Sequence, residues 1–193
     1  MGKQDSPPDR SVAEFVTQLG RYAYGATPAA GLTPAQWTAL RYFSRANRFS
    51  RTVSAFAEFH ATTRGTASGT VKSLVQGSYL KRTRSSSDGR SAQLNVTSKA
   101  RAILSNDPFQ RLMRAADVLS TTTRRAVTRG LDRMLGELAQ DLDKPRFGVC
   151  TECRYLCGDG VCLEGQPPYQ CGLLNEPLAE SEIGQLCVSF VSN

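Results

Sequence analysis

Cysteine is absent from the first 149 of the 193 residues, and histidine occurs once in the chain, as His60. Paired catalytic carboxylates, a histidine with a catalytic partner, a glycine-rich phosphate loop and a cofactor fingerprint are also missing. No stretch approaches the roughly 18 uncharged apolar residues of a transmembrane helix, and residues 1–10 lack the apolar core of a secretory signal. These absences predict a cytoplasmic protein that is not an enzyme.

Acidic residues are scarce in the larger part of the chain. Residues 1–145 hold 22 Lys and Arg against 11 Asp and Glu, whereas residues 146–193 hold 2 against 6. A basic body joined to a mildly acidic tail indicates that the body meets a polyanion and that the tail does not. A generically basic surface would give the same counts, so charge alone leaves both interpretations open.

Apolar residues at helical spacing dominate residues 11–145, whereas residues 1–10 are expected to be a disordered N-terminus. Thr33 and Pro34 are the residue types of an N-cap and of the first helical position. The expected helices cover residues 11–24, 34–43, 50–59, 63–76 and 97–143, the last with an interruption at 105–108 and a further cap at Ser120.

Three helices followed by a basic hairpin describe a winged helix-turn-helix, in which one helix enters the major groove and the hairpin reaches the DNA backbone or minor groove. Strands at residues 79–84 and 91–96 flank a turn rich in Ser, Asp and Gly. The preceding helix, 63–76, accepts two glycines that each cost roughly 1 kcal/mol relative to alanine. Its small residues Gly65, Thr66, Ala67 and Ser68 are expected to allow close approach to bases and phosphates. The predicted DNA contacts are Arg64, Thr66, Ser68 and Lys72 in the groove and Arg84 and Arg90 on the wing. A solvated basic hairpin on an unrelated α+β domain is the alternative.

The motifs Leu32-Thr-Pro-Ala-Gln36, Tyr79-Leu-Lys-Arg82 and Asp88-Gly-Arg90, in this order and spacing, resemble the MarR family of bacterial regulators. The resemblance covers roughly residues 11–142. It implies a mainly α (α+β) fold and a homodimer whose N- and C-terminal helices form the dimerisation layer. Two winged-helix lobes would then bind a pseudo-palindromic operator in double-stranded DNA. Family members usually repress transcription, so a nucleoid-associated repressor is expected.

Two features depart from the family pattern. The glycine expected just before the first wing strand is shifted, with Gly77 and Ser78 in that turn. The chain also continues beyond the last long helix of a domain at 11–145 into a cysteine-rich extension, residues 146–193. The extension therefore becomes the expected sensor in place of the family's usual small-ligand pocket.

The extension holds all six cysteines of the chain. Cys150-Thr-Glu-Cys153 is a C-x-x-C knuckle, a spacing that lets two thiolates reach one metal from a single turn. No second knuckle follows, and the later gaps are uneven, which favours the wrapped loop of an iron–sulfur cluster over a zinc ribbon. The expected cofactor is a 4Fe-4S cluster rather than 2Fe-2S, with structural zinc or a metal-free thiol or disulfide switch as alternatives.

The gaps between cysteines leave the choice of ligands open. His60 adds no ligand, because it lies in the predicted helix-turn-helix and is expected to be a surface or DNA-facing residue. The expected ligands are Cys150, Cys153, Cys171 and Cys187, with Cys157 and Cys162 as extra or alternative ligands. A more compact set combines the first two with Cys157 and Cys162 instead.

The extension follows the dimerisation helix directly, so we expect cluster occupancy to change helix packing and the separation of the two wings. Because operator half-sites have fixed spacing, such a change would alter DNA affinity. The sequence thus predicts a DNA-binding regulator that senses redox or iron state. An architectural DNA-binding protein with structural zinc and an electron-transfer protein or enzyme are the competing functions.

Overall fold

The computed structural model describes residues 10–24, 29–84, 92–158 and 168–193. The expected disorder of the N-terminus up to residue 9, and the turn at 85–90, lie outside the described residues. Within these ranges the chain forms seven α-helices: α1 (Arg10–Tyr24), α2 (Pro34–Arg45), α3 (Val53–Phe59), α4 (Arg64–Gln76), α5 (Ser98–Leu104), α6 (Gln110–Ala116) and α7 (Thr121–Asp141).

Short antiparallel strands complete the fold. The strands of the described residues are β1 (Leu80–Arg84), β2 (Ala92–Val96), β3 (Gly148–Val149), β4 (Leu156–Gly158), β5 (Tyr169–Cys171), β6 (Glu176–Leu178) and β7 (Leu186–Cys187). Strands β1 and β2 form the predicted hairpin, in which Leu80 lies opposite Val96. In the extension, β3 pairs with β7, and β4, β5 and β6 form a sheet in that order.

Threonine and serine caps explain where the helices begin. Thr33 forms a capping box with Gln36, because its Oγ1 accepts a hydrogen bond from the Gln36 amide at 3.3 Å while its own amide donates to Gln36 Oε1. Thr97 caps α5 and Ser120 caps α7 in the same way, through the amide three residues later. The predicted caps are therefore confirmed. The predicted interruption near residue 105 is also confirmed, since α5 ends at Leu104.

Two helix starts differ from the expectation by a few residues. Arg10 was expected in the disordered N-terminus but is the first residue of α1. The third helix was expected from Ser50 but begins at Val53, because Thr52 is its cap and accepts a hydrogen bond from the Ala55 amide. Ser50 is instead fully buried in the turn before α3.

The core of the winged-helix body is aromatic and lies between α2, α3 and α4. Tyr42 of α2 has its ring centroid 5.1 Å from that of Phe43 and 5.4 Å from that of Phe56. The Tyr42 hydroxyl donates to the backbone oxygen of Ser50 at 2.7 Å, so the buried phenol is satisfied. Further buried members of this core are Trp37, Leu40, Val71, Leu74, Leu80 and Leu94. Its apolar area supplies the main stabilisation of the body.

Helices α1 and α7 lie outside this core. No residue of the 21-residue α7 is buried, and its apolar side chains Leu131, Leu135 and Leu138 are exposed. On α1, Phe15 is 68% exposed and Tyr22 is 72% exposed. The apolar stripes that these two helices leave exposed have the character of an association surface.

The extension packs against the turn between α2 and α3, residues 46–52, which we call the α2–α3 turn. Leu186 of β7 is buried within the main hydrophobic core, and its backbone oxygen accepts a hydrogen bond from the Asn47 amide at 2.9 Å. The Val188 amide donates to Ser50 Oγ at 2.8 Å. The sequence predicted an effect through the dimerisation helix, but these contacts reach the helix-turn-helix itself.

Candidate nucleic-acid interface and thiol cluster

The outward surface of α4 consists of glycines, hydroxyls and cations. Ala67, Val71 and Leu74 are buried against the core. At 3.6 residues per turn the opposite face therefore carries residues 65, 69, 72 and 76, within an arc of about 60°. All four are exposed, and no Asp or Glu occurs anywhere between residues 59 and 87. We call Gly65, Gly69, Lys72 and Gln76 the outward face of α4.

The two glycines of this face are not needed for packing inside the protein. A Cβ added at Gly69 would meet nothing within 4 Å, and one at Gly65 would meet only Thr63 Oγ1, at 3.8 Å. The helix therefore carries the cost of both glycines without an internal reason. Their position allows an external partner to approach the helix backbone closely.

The predicted groove residues lie on α4 but not all at its centre. Arg64 and Ser68 are exposed on one flank, and Thr66 is exposed on the other. The Thr66 hydroxyl lies 2.9 Å from Thr63 Oγ1, so it takes part in the cap of the helix. Lys72 lies on the outward face, and no ion pair of Lys72 is found among the described residues.

One small residue of α4 faces the core and not the solvent, contrary to the prediction. Ala67 was grouped with its neighbours as part of the DNA-facing surface, but it is 1% exposed and packs in the core. Gln76 was not among the predicted DNA contacts, but it lies on the outward face. Counting the helical phase from Val71 and Leu74 would have separated these positions.

The wing strands present cations beside α4. Lys81 and Arg82 of β1 are both exposed. The side chain of Arg84 and the whole of Arg90 lie outside the described residues, so their predicted wing contacts stay predictions.

The turn between α4 and β1 has serine, and not glycine, at its left-handed position, which confirms the predicted shift of the glycine. Gly77 has an ordinary φ of −75°, whereas Ser78 takes the left-handed conformation, with φ of 60°. The Tyr79 amide donates to the Leu74 oxygen at 2.9 Å across this turn, the pattern of a Schellman motif. Serine thus holds the position where glycine is usual, and the wing strand begins two residues later.

His60 lies at the end of α3 and is half buried. Its ring stacks on Phe56 with the centroids 5.6 Å apart and the planes 13° from parallel. Burial lowers the pKa of His60 below its ordinary value, which favours the neutral ring. The expected surface or DNA-facing position is therefore only partly met, because one ring face is packed.

Three other cysteines of the extension lie near enough to Cys150 to raise its pKa. Burial raises the pKa of Cys150, and together with the nearby groups Cys187, Cys153, Cys171 and Glu182 it brings that pKa to about 11. We call these four cysteines the thiol cluster. They are the same residues that the sequence predicted as ligands, although their ligation is not tested by this proximity.

Local backbone pairing places the members of the thiol cluster. The Cys153 amide donates to the Cys150 oxygen at 3.0 Å, which closes the knuckle turn. Cys187 lies opposite Gly148 in the β3–β7 pair. Gly148 is two residues before Cys150 in the sequence, so this pairing brings Cys187 to the start of the knuckle. Cys171 ends β5, one residue before a glycine whose amide donates to the Tyr155 oxygen at 2.8 Å.

The remaining cysteines stand apart from this arrangement. Cys157 is exposed in β4, pairs with Gln170, and is not among the groups that shift the pKa of Cys150. Cys162 lies outside the described residues. The compact alternative ligand set therefore rests on one cysteine at the surface and on one that is not described.

The donor chemistry of the thiol cluster suits a soft metal, although the described residues are not arranged around one. In the described ranges, no group of three or more His, Cys, Asp or Glu side chains is positioned to hold a metal ion. All five described cysteines are free. Glu182, the nearby carboxylate, is engaged by Arg48 and by the Ala179 amide. The available donors are thus sulfur, which selects zinc or iron–sulfur clusters over hard cations.

Two of the cavities found among the described residues border the winged-helix body. One, of about 310 Å³, lies between Phe59 of α3, the Leu138 side of α7 and Phe147. The other, of about 600 Å³, lies between α2, α6 and the extension and is lined by Arg41, Phe109 and Leu186 among others. The second cavity therefore has a wall that the extension supplies.

The fold is that of winged-helix proteins: helices α2, α3 and α4 followed by the β1–β2 wing, with long flanking helices. In the part of the chain that the structure describes, no helix has both the length and the apolar character to cross a membrane. A sequence model of the MarR family matches residues 30–91. No curated protein sequence matches the chain.

Solved structures share this fold at low sequence identity. A MarR transcriptional regulator from Methanosarcina mazei Go1 is 18% identical, with a TM-score of 0.55, over 68% of this chain and 99% of its own. A MarR/EmrR family regulator from Acinetobacter sp. ADP1 is 17% identical, with a TM-score of 0.56, over 70% and 99%. The MepR–DNA complex of S. aureus is 16% identical, with a TM-score of 0.57, over 70% and 99%. The predicted mainly α winged-helix fold is confirmed.

Proposed function

We propose that this chain is a DNA-binding transcriptional regulator, acting as a homodimeric repressor, whose DNA affinity depends on a metal centre in the extension. The observation that carries the DNA-binding part is the outward face of α4. It is exposed and free of acidic neighbours in sequence, and it contains two glycines for which internal packing gives no reason. Such a face suits insertion into the major groove, where side chains and backbone must approach base edges and phosphates.

Exposed positive charge and similarity to solved structures support the same proposal. Lys72 lies on this face, Lys81 and Arg82 are exposed on the neighbouring strand β1, and these cations would neutralise phosphates. A similar fold has been solved in complex with DNA, in MepR of S. aureus. The M. mazei and Acinetobacter structures are described as transcriptional regulators, which favours regulation over catalysis.

The exposed stripes on α1 and α7 support the homodimer. Phe15 and Leu135 are more than half exposed in the monomer, and Val12, Leu19, Leu131 and Leu138 are exposed with them. Burying such a stripe against a second copy removes apolar surface from water. A dimer would also present two copies of α4 to a pseudo-palindromic operator.

For the extension, we propose that the thiol cluster holds a 4Fe-4S cluster, with zinc as the alternative metal. The support is the proximity of three other thiols to Cys150, with no histidine and with the nearby Glu182 already paired. An iron–sulfur cluster bound there would supply a redox- and iron-sensitive centre. The protein would position the ligands: the knuckle turn orients two thiols, and β7 joins Cys187 to the winged-helix body.

The DNA-binding proposal is tested with the full chain and a Lys72→Ala variant. Binding to duplexes selected from a random library, and to a mixed-sequence duplex, is measured by fluorescence anisotropy across a salt series. We expect Lys72→Ala to weaken binding to both duplexes. The slope of log affinity against log salt should become shallower by about 2, because each of the two protomers of the proposed dimer no longer neutralises one phosphate.

The matched control is Arg154→Ala, which removes one exposed positive charge from the extension. It should leave the salt slope unchanged, because net charge alone does not set the number of phosphates that the protein neutralises. Equal slopes for the unaltered chain and Lys72→Ala would contradict the placement of α4 on DNA. Absence of any binding by the unaltered chain would contradict the proposed function itself.

A further inference from the structure

Three arginines form a row along one side of α7. Arg125, Arg129 and Arg133 are spaced four residues apart, so each lies about 6 Å along the helix axis from the next, and all three fall within an arc of about 80°. They are exposed, and no ion pair of any of them is found among the described residues. The same arc contains Thr122, Gly136 and Gln140. We call these six residues the arginine face of α7.

A fourth guanidinium extends the row from outside the helix. Arg146 follows α7 in the chain, and its guanidinium pairs with Asp132. A Cβ added at Gly136 would lie 3.5 Å from Arg146 Nη1 and 3.6 Å from its Cζ. The guanidinium therefore lies over the glycine, about one turn beyond Arg133, and the row of cations runs for about 17 Å from Arg125 to Gly136.

This row of like charges has an energetic cost that its acidic neighbours do not offset. Like charges four residues apart on a helix destabilise it. Of the two acidic residues beside the row, Asp132 is engaged by Arg146, and Glu137 forms no ion pair with Arg133, one turn before it. The exposed guanidiniums of the row are thus available to an external anion.

The arginine face lies on the opposite side of α7 from the apolar stripe. Leu131 and Leu135 follow Arg129 and Arg133 by two residues each, which places them about 160° away around the helix. Dimerisation through the stripe would therefore leave these arginines outside the interface, one row on each protomer.

The composition of the arginine face favours a phosphate backbone over a protein partner. The face contains no apolar side chain, whereas the centre of a protein–protein interface is usually apolar. Protein–DNA interfaces are more polar and much more positively charged. Every cation of α7 is an arginine and none is a lysine, and the planar guanidinium binds phosphate oxygens through two parallel hydrogen bonds. Charge and donor geometry therefore both suit the backbone of DNA.

We propose that the arginine face of α7 binds the phosphate backbone of a second DNA duplex, separate from the duplex held by α4. The inference rests on the proposed function only in that α4 is taken to hold the first duplex. A dimer bound at its operator would then hold another segment of DNA beside it, through cations that carry no sequence preference.

The test loads the full chain onto beads that carry the selected duplex and measures capture of a labelled mixed-sequence duplex, per protein loaded, across a salt series. We expect the unaltered chain to capture the second duplex. Arg129→Gln combined with Arg133→Gln should lower the affinity for it by about tenfold or more, because two guanidiniums no longer donate charge-assisted hydrogen bonds to phosphate. The salt slope for the second duplex should become shallower by about 2 for each face, one for each phosphate no longer neutralised. Affinity for the selected duplex should stay that of the unaltered chain.

The matched control combines Arg124→Gln with Arg154→Gln, which also removes two positive charges but none from the arginine face. Arg124 pairs with Asp117 and donates to the Leu119 oxygen at the start of α7, and Arg154 is exposed in the extension. Capture of the second duplex by this variant should equal that by the unaltered chain. Arg129→Lys combined with Arg133→Lys keeps the charge, so it should keep the salt slope but lose part of the affinity, because lysine lacks the paired donors.

Three results would overturn the arginine face as a DNA site. The first is no capture of the second duplex by the unaltered chain, and the second is unchanged capture after the two glutamine substitutions in the face. The third is an equal loss in the control variant, because net charge alone would then explain the binding. Competition by polyglutamate as strong as that by unlabelled duplex would assign the face to an acidic protein segment and overturn its assignment to DNA.

Failure of the proposed function gives a different result. A chain that binds no selected duplex would overturn sequence-specific regulation, and the same variants are then compared by anisotropy on the mixed-sequence duplex alone. A loss confined to the substitutions in the face would still support it, and an unchanged affinity would overturn it. Fluorescence of Trp37, the single tryptophan, buried in the body, verifies that each variant is folded.

Discussion

The winged-helix body and the extension are stabilised by different means. The body surrounds a cluster of fully buried large side chains, such as Tyr42, Phe43 and Phe56. In the extension, the described residues contribute few buried large groups, and its strands are two or three residues long. A large apolar core can stabilise the body by itself, whereas the extension depends on its anchor in that core and, under the proposed function, on a metal bound by its cysteines.

This difference suits the regulation that we propose for the extension. A segment of low local stability can respond to loss of a ligand without unfolding the rest of the protein. Leu186 anchors this segment in the body, and Cys187, the next residue, belongs to the thiol cluster. A structural change at the thiol cluster would therefore occur one residue away from an anchor in the helix-turn-helix.

The largest expected effect is loss of the proposed metal centre, because it should destabilise the extension and leave the winged-helix body almost unchanged. Cys153→Ser should abolish metal uptake and speed amide exchange throughout the extension, because the binding free energy of the metal contributes to folding there. Cys157→Ser is the matched control and should keep its metal, since Cys157 is exposed and outside the thiol cluster.

Metal analysis and the ultraviolet–visible spectrum of protein purified without oxygen measure both outcomes. A broad band near roughly 400 nm would indicate an iron–sulfur cluster, and a colourless protein with bound zinc would replace the cluster by the alternative metal. Full metal content in Cys153→Ser would remove this residue from the ligand set. The transition of the body, followed by Trp37 fluorescence, should change little in either variant.

The next effect concerns the anchor. Leu186→Ala should destabilise the body by about 2–5 kcal/mol, the range for a buried leucine truncated in a packed core, because Leu186 belongs to the main core although it lies in the extension. Leu178→Ala is the control, since Leu178 is equally buried but lies outside that core. Urea unfolding followed by Trp37 fluorescence should shift for the first variant and stay within about 0.5 kcal/mol for the second. Equal shifts would mean that the two regions unfold as one unit.

Local signals in the sequence predicted the body well. The caps Thr33, Thr97 and Ser120 and the hairpin strands are where residue type and spacing placed them, because a cap or turn is decided by neighbours in sequence. The face of α4 was less well predicted: Ala67 was assigned outward from its size, whereas its phase relative to Val71 decides its burial. Small residues are compatible with either face, so only the periodicity distinguishes them.

The position of the extension could not be predicted in the same way. The segment at residues 185–188 has no periodic pattern, and its pairing with residues 46–51 joins positions more than 130 residues apart. Such a contact is selected by the shape of the finished core and not by local propensity. For the cysteines, the spacing favoured four residues that the structure brings near one another, but ligation by them stays a prediction.

The smallest expected effect tests how tightly the extension is packed around Phe190. Gly148 of β3 lies directly against that ring, and a Cβ added there would be 2.6 Å from two ring atoms, closer than real Cβ contacts allow. Gly148→Ala should therefore displace the buried ring and destabilise the extension by about 1–3 kcal/mol, the usual cost of overpacking. Gly184→Ala, which would meet nothing within 4 Å, is the matched control and should leave exchange in β3 and β7 unchanged. Faster exchange of β3 and β7 in the first variant, without a shift of the Trp37 transition, would show that the extension loosens independently of the body. A shift of that transition as large as that of Leu186→Ala would instead mean that the extension is part of the cooperative core.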